Sequence, residues 1–245
     1  MLNKKGGDVC VVIPSYNSKS TLKKVIYGVL RNARIAKIIV VDDNSPDGTA
    51  SIVKKYFLKE SKVKLITRGN KGGRGSAVIE GFKEGLKNKN SEFFIEMDAD
   101  LAHSPTDLPR LLEKAKEFDA VVTSRYLLKS QILRWKLKRR IASKLANLWI
   151  KFILGVPLSD NTNGFRCYRR RVIKAIDFNK IRSKGFIVLT EIANQIYKKG
   201  FRFGEIPIDF VPVDLNKSNL NWKEIKEAFF AVLRLRLSRS LVMEK

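Results

Sequence analysis

The sequence predicts an α/β fold built on a doubly wound, mostly parallel sheet flanked by helices. Short, β-branched, continuously apolar runs recur through the first half, as strands buried on both faces of a parallel sheet must read. Stretches of helical length separate them, so strand and helix alternate. The size agrees: 245 residues with 44% hydrophobic content suffice for one large domain with a sizeable core.

Taken in order, the first strand is expected over residues 9–13, closed by Pro14-Ser15-Tyr16-Asn17, with a helix over 20–32. The second, 38–41, runs into Asp42-Asp43-Asn44-Ser45. A helix over 49–59 follows, with Asp47 placed to cap it. After a strand over 63–67, Gly73 and Gly75 open a helix over 76–87, either as a plain turn or to let the backbone approach a ligand. The fourth strand, 93–97, ends in Asp98-Ala99-Asp100; a helix over 106–116 and a strand over 120–123 complete the alternation. In such sheets ligands bind beyond the carboxyl ends of the strands, where these three polar clusters fall.

The second half changes character. A helix is expected over 133–154, with Leu137, Ile141, Leu145, Leu148 and Phe152 at helical spacing, and Gly155 and Pro157 to stop it. Seven basic residues and no acidic one lie between Leu133 and Lys151. A second basic amphipathic helix is expected over 222–241, so the chain divides into a body over 1–215 and a basic helical tail over 216–245. Such helices either lie in a membrane interface or pack as surface helices. The formal net charge is +25, and residues 121–245 hold 27 basic against 9 acidic side chains, so an anionic partner is expected there. Nucleic acid is not expected, because aromatics are not interleaved with the basic runs. Two cysteines and one histidine give neither a disulfide framework nor a zinc site. No run reads as a signal peptide or reaches the length of a spanning helix. A cytoplasmic protein peripheral to a membrane is the expectation.

The chemistry centres on Asp98 and Asp100. Alternate strand positions share a face, so both carboxylates can reach one hard cation, Mg²⁺ or Mn²⁺, which can also hold nucleotide phosphates. His103 reads as a further ligand or as a cap before Pro105. Asp43 can accept hydrogen bonds from a base or ribose, and Pro14 and Tyr16 can wall a base pocket. Arg125 can clamp a diphosphate or a phosphate acceptor, with Arg139, Arg140 and Arg166 as further cations. A buried pair with Asp160 is the alternative for Arg166.

In order along the chain these motifs resemble family 2 of the inverting glycosyltransferases, which have a GT-A fold. Within that family they are most similar to the polyprenyl-phosphate hexosyltransferases of the dolichol-phosphate mannose synthase type. The resemblance also rests on Ser124-Arg125-Tyr126, on Trp135 with Arg139-Arg140, on residues 160–166 and on Glu191. It implies a hexose, mannose or glucose, moved from a GDP- or UDP-linked donor to a polyprenyl phosphate at the cytoplasmic face of a membrane, with an integral membrane partner as an option. A family 2 enzyme acting on a saccharide or protein hydroxyl is the alternative. By resemblance the nucleotide sugar meets Pro14, Tyr16, Asn17, Asp42, Asp43, Gly73, Gly75 and Ala99. Asp98 and Asp100 hold the metal, and Asp100, Arg125 and Glu191 are catalytic. Arg139, Arg140, Arg166, Lys217 and Ser218 receive the phosphate acceptor. The chain departs from the family pattern at Ser18, Ala102, Leu189 and the late loop 213–219.

Overall fold

A computed structural model describes residues 7–183, 185–211 and 222–240. The first half runs β1 (Val9–Ser15), α1 (Leu22–Leu30), β2 (Ile35–Asp42), α2 (Thr49–Phe57), β3 (Val63–Thr67), α3 (Arg74–Gly85), β4 (Phe93–Glu96), α4 (Leu108–Lys114) and β5 (Ala120–Ser124). The second runs β6 (Gln131–Ile132), α5 (Leu137–Leu154), β7 (Arg166–Arg169), α6 (Arg170–Ala175), α7 (Val188–Lys198), β8 (Phe203–Pro207), β9 (Asp209–Phe210) and α8 (Trp222–Ser240). Seven strands form one sheet in the order β3-β2-β1-β4-β7-β5-β8, and β6 pairs with β9 in a small second sheet. All pairs in the large sheet are parallel except those of β7, which runs antiparallel to β4 and β5.

Strand alternation divides the core into two layers. Val9, Val11, Ile13, Ile38, Val40 and Ile95 face α1, α2 and α4. Cys10, Val12, Ile39, Val41 and Phe94 face α3, α6 and α7. A third cluster joins α5, α7 and α8 through Ile150, Leu154, Ala193, Ala231 and Val232. Gly75 belongs to this packing: a Cβ there would stand 2.2 Å from Val188 Cγ2 on α7. The close crossing of α3 and α7 needs a residue without a side chain.

Two further features, β7 and the start of α5, differ from the expectation. β7 has the sequence Arg-Cys-Tyr-Arg, which carries no strand signature. It lies between β4 and β5 because Arg166, fully buried, donates to the carbonyls of Asn163, Leu189 and Asn161 at 2.7, 2.9 and 2.7 Å. A buried guanidinium is tolerated only when its donors are used in this way. Arg166 is therefore a framework residue, neither an acceptor contact nor the partner of Asp160. α5 starts at Leu137, after Gln131-Ile132 has paired with β9 and Arg134 has taken φ +61°. The tail helix α8 packs on the body, with Phe229 stacked on Trp149 at 5.3 Å. The expected boundary at 215/216, with Lys217 and Ser218, lies outside the described residues.

Burial pushes the Cys10 thiol up to about 12, and Cys167 further still. The thiolate is the reactive form, so both cysteines are protonated as well as inaccessible in the folded protein. An aromatic disulfide reagent at pH 8 is expected to give no colour with the native chain and two equivalents after denaturation.

Candidate active site

The loops after β1, β2 and β4 meet at the carboxyl edge of the sheet. Each holds a non-glycine residue in the left-handed region: Asn17 at φ +54°, Asn44 at +57° and Leu101 at +62°. For a leucine this conformation is strained, and surrounding contacts must hold it. A partly buried relay supplies part of that support. Asp42 accepts from the Ser45 amide at 3.0 Å and hydroxyl at 2.6 Å, and Ser45 Oγ accepts from the Asn17 amide at 3.0 Å. Thr21 donates to the Ala99 carbonyl at 2.6 Å, tying α1 to the loop after β4. Asp47 accepts from the Thr49 amide at 2.9 Å and so caps α2 from one residue ahead of Gly48.

Asp43 accepts from the amides of Gly72 and Gly73 at 3.0 and 2.8 Å and pairs with Arg68 at 2.9 Å. Gly73, at φ +90°, then starts α3, and the next residue, Arg74, bonds Asp98 at 2.8 Å. One short loop thus joins the second acidic cluster to the third. Asp42 and Asp43 are buried, and in this structure their partners are protein groups: the Ser45 amide and hydroxyl for Asp42, and the Gly72 and Gly73 amides with Arg68 for Asp43. Pro14 is also buried, in register with Val41 and past the last β1–β4 pair, where a missing N–H is tolerated. Tyr16 remains open to solvent, with Lys71 Nζ 3.8 Å from its ring centroid.

Asp98 is half-buried. Burial would raise its carboxyl, but the charges of Arg74 and His103 outweigh this and hold it below the usual range. Asp100 stands at the rim as an exposed residue. Desolvation by the surrounding cleft, then the charge of Asp98, pushes its carboxyl above the usual range. His103 is buried between Phe165 and Phe210, each 5.5 Å away, with Nδ1 3.8 Å from Asp98 Oδ2. Ser104, not His103, caps the turn before Pro105. Neither His103 nitrogen has a hydrogen-bond partner, nor do Ser15 Oγ and Asn17 Oδ1. Unsatisfied buried polar atoms are rare and call for a ligand or water. Among the described residues no three His, Cys, Asp or Glu side chains form a ready metal cage. Two oxygen donors with an open side and an orphaned imidazole nearby fit a hard cation whose shell is finished by phosphate and water.

The remaining expected residues are placed differently. Arg125 is buried and forks onto Asp160, Nε to Oδ2 at 2.7 Å and a terminal nitrogen to Oδ1 at 2.9 Å, with Thr162 as a further partner. Its guanidinium lies 5.2 Å from the Trp135 ring, and that of Arg139 lies 4.1 Å from the same ring. Arg140 is exposed and donates to the Ile132 carbonyl. Glu191 is buried and accepts from the Arg182 and Ser183 amides, the Ser183 hydroxyl and Arg234 of α8, the last at 2.6 Å. The carboxylate so enclosed ties α7 to α8 and to the segment at Arg182-Ser183. Arg68 and Arg74 were missed. Arg74 had a signal: a cation in the first turn of a helix opposes the helix dipole and needs an acidic partner.

The carboxyl edge of this mostly parallel sheet thus presents an acidic pair beside a glycine-bounded helix start, an arrangement suited to a cation-bridged phosphate group. The glycosyl transferase family 2 signature matches residues 10–177, and the chain belongs to that family. It is 36% identical over 236 residues to the polyprenol monophosphomannose synthase of Mycolicibacterium smegmatis, covering 94% of this chain and 89% of the relative. It is 35% identical over 227 residues to the undecaprenyl-phosphate mannosyltransferase of Micrococcus luteus, covering 92% and 93%. The fold matches glucosyl-3-phosphoglycerate synthase from Mycobacterium tuberculosis, solved with Mn²⁺ and UDP, at TM-score 0.67, 17% identity and coverage of 96% and 80%. Mannosyl-3-phosphoglycerate synthase from Rubrobacter xylanophilus matches at TM-score 0.68, 19% identity and coverage of 96% and 74%.

Asp160 is fully buried, and Arg125 holds its carboxyl below the usual range against the effect of burial. Asp160→Asn strands the Arg125 charge inside the protein. It is expected to cost about 3–5 kcal/mol in chemical denaturation.

Proposed function

We propose that this enzyme transfers a hexose from a nucleotide-sugar donor to a polyprenyl phosphate, with inversion at the anomeric carbon. The observation that carries the reading is the Asp98–Asp100 pair at the carboxyl edge of the sheet, in a chain more than one-third identical to a polyprenol monophosphomannose synthase over nearly its whole length. Asp98 and Asp100 would hold Mg²⁺ or Mn²⁺, whose chemistry there is to neutralise the charge that grows on the departing diphosphate. Tyr16 and Lys71 offer a ring and a cation to the nucleoside side of the cleft. Whether the donor carries GDP or UDP is left to the assay.

A lipid phosphate already has an ionised oxygen at neutral pH, so its attack needs no general base. A hydroxyl acceptor would need one. Glu191, the carboxylate considered for that duty, is enclosed by four donors, which favours the phosphate acceptor. Arg139 suits the phosphate: burial, then the nearby charge of Arg125, lowers its pKa, and an anion between the two would relieve the crowding.

The surface of α5 supports a membrane as the source of the lipid. Asn147, Ile150 and Leu154 face the protein. Leu137, Ile141, Leu145, Leu148 and Phe152 lie on the opposite side, 50–84% exposed, with Lys138, Arg140, Lys144 and Lys151 exposed beside them. An apolar stripe flanked by cations and directed outward is the pattern of a helix lying in an anionic bilayer surface. None of the described helices is long and apolar enough to cross a membrane.

The test is incubation with a panel of nucleotide sugars, Mg²⁺ or Mn²⁺ and a polyprenyl phosphate, followed by extraction of glycolipid. One donor is expected to yield a sugar–phosphate–lipid product, and no product from any donor rejects the reading. Asp98→Asn and Asp100→Asn are each expected to lower metal-stimulated turnover by roughly 100-fold or more with the circular-dichroism spectrum unchanged. Vesicles with anionic lipid are expected to bind the protein, and the double change Leu145→Glu, Phe152→Glu to weaken co-sedimentation roughly tenfold.

A further inference from the structure

Arg74 has no part in the proposed transfer step, yet it sits at the centre of the acidic cluster. Its Nε donates to Asp98 Oδ1 at 2.8 Å, one terminal nitrogen meets Glu96 at 3.3 Å, and the other donates to the Gly164 carbonyl at 3.2 Å. Glu96 is fully buried and, among the described residues, otherwise bonds the Tyr168 hydroxyl, at 2.7 Å. The place is built for the guanidinium: a Cβ on Gly164 would stand 2.1 Å from the Arg74 terminal nitrogen and 3.1 Å from Asp98 Oδ2. Arg74 also opens α3, where the helix dipole disfavours a cation, so the two carboxylates hold it there.

Asp98 therefore has one oxygen engaged by Arg74, while Oδ2 faces His103. A divalent ion arriving at Oδ2 would bring two further positive charges next to the guanidinium, and that repulsion is strong in a partly desolvated cleft. A diphosphate arriving with the ion changes the balance, because its oxygens can take the guanidinium as a bidentate partner.

We propose that Arg74 is the resident counter-cation of Asp98, which weakens divalent-ion binding to the nucleotide-free protein and couples loading of the metal to loading of a nucleoside diphosphate. This rests on the reading that Asp98 is a metal ligand. The coupling is reciprocal, as linkage requires: whatever the diphosphate does for the metal, the metal does for the diphosphate. The consequence is a site that fills with donor and cation together and does not hold the ion alone.

The test is titration of the nucleotide-free protein with Mn²⁺ by calorimetry, with free Mn²⁺ checked by electron paramagnetic resonance. Arg74→Gln is expected to tighten Mn²⁺ binding by roughly tenfold or more, and Arg74→Lys, which keeps the charge, to stay near the parent protein. A folded Arg74→Gln protein that binds Mn²⁺ no more tightly than the parent overturns the proposal, and so does absence of measurable binding in both. If Arg74→Gln fails to fold because Glu96 is stranded, the double variant Arg74→Gln, Glu96→Gln removes the buried charge and is held to the same criterion. Asp98→Asn separates the two levels. Unchanged Mn²⁺ affinity in Asp98→Asn defeats the ligand assignment itself. Loss there with no gain in Arg74→Gln defeats only the role given to Arg74.

Discussion

Every residue of β1 is buried, and the rest of the site depends on this. The strand lies between β2 and β4 with helices over both faces, so its positions from Val9 to Ile13 are apolar and the polar residues follow at its carboxyl end. The same holds for the apolar runs of β2 and β4. Polar chemistry is thereby expelled to one edge, and three loops must share it. Their crowding explains why each contains a residue forced into the left-handed region, and why their side chains and amides bond one another as densely as they do.

At that edge the carboxylates divide into two groups. Asp42, Asp43, Glu96, Asp160 and Glu191 are buried and bonded to amides, hydroxyls or guanidinium groups. They fix loops and helices, and the charge of each is compensated locally, as burial requires. Asp98 and Asp100 retain contact with solvent. The acidic residues that resemble catalytic groups in the linear sequence are thus mostly the framework that presents two others.

The basic half is organised in the same manner. α8 is anchored by Arg234 on Glu191 and by Phe229 on Trp149, and this leaves α5 with one face on the protein and an apolar, cation-flanked face outside. Just ahead of α5, Trp135 contacts both Arg125 and Arg139. The start of α5 and the buried Arg125–Asp160 pair are therefore linked through one aromatic ring.

Much of this was legible in the residues. Continuous apolar runs gave β1 to β5, helical spacing gave α1 to α5, and Asp98-Ala99-Asp100 marked the pair that keeps contact with solvent, because these signals are local and depend on a period or a spacing. β7 was not legible: an arginine-bearing segment enters a sheet only when distant carbonyls satisfy it, as those of Leu189 and Asn161 do for Arg166. The roles of Asp43, Arg125 and Glu191 were likewise hidden, since a carboxylate or guanidinium has the same spelling whether it meets a ligand or a neighbour 35 residues away. Sequence alone determined which groups were available and at which edge they would gather. Tertiary structure decided which were spent on one another and which faced outward, because compensation of buried charge is a property of three-dimensional neighbours and has no period along the chain.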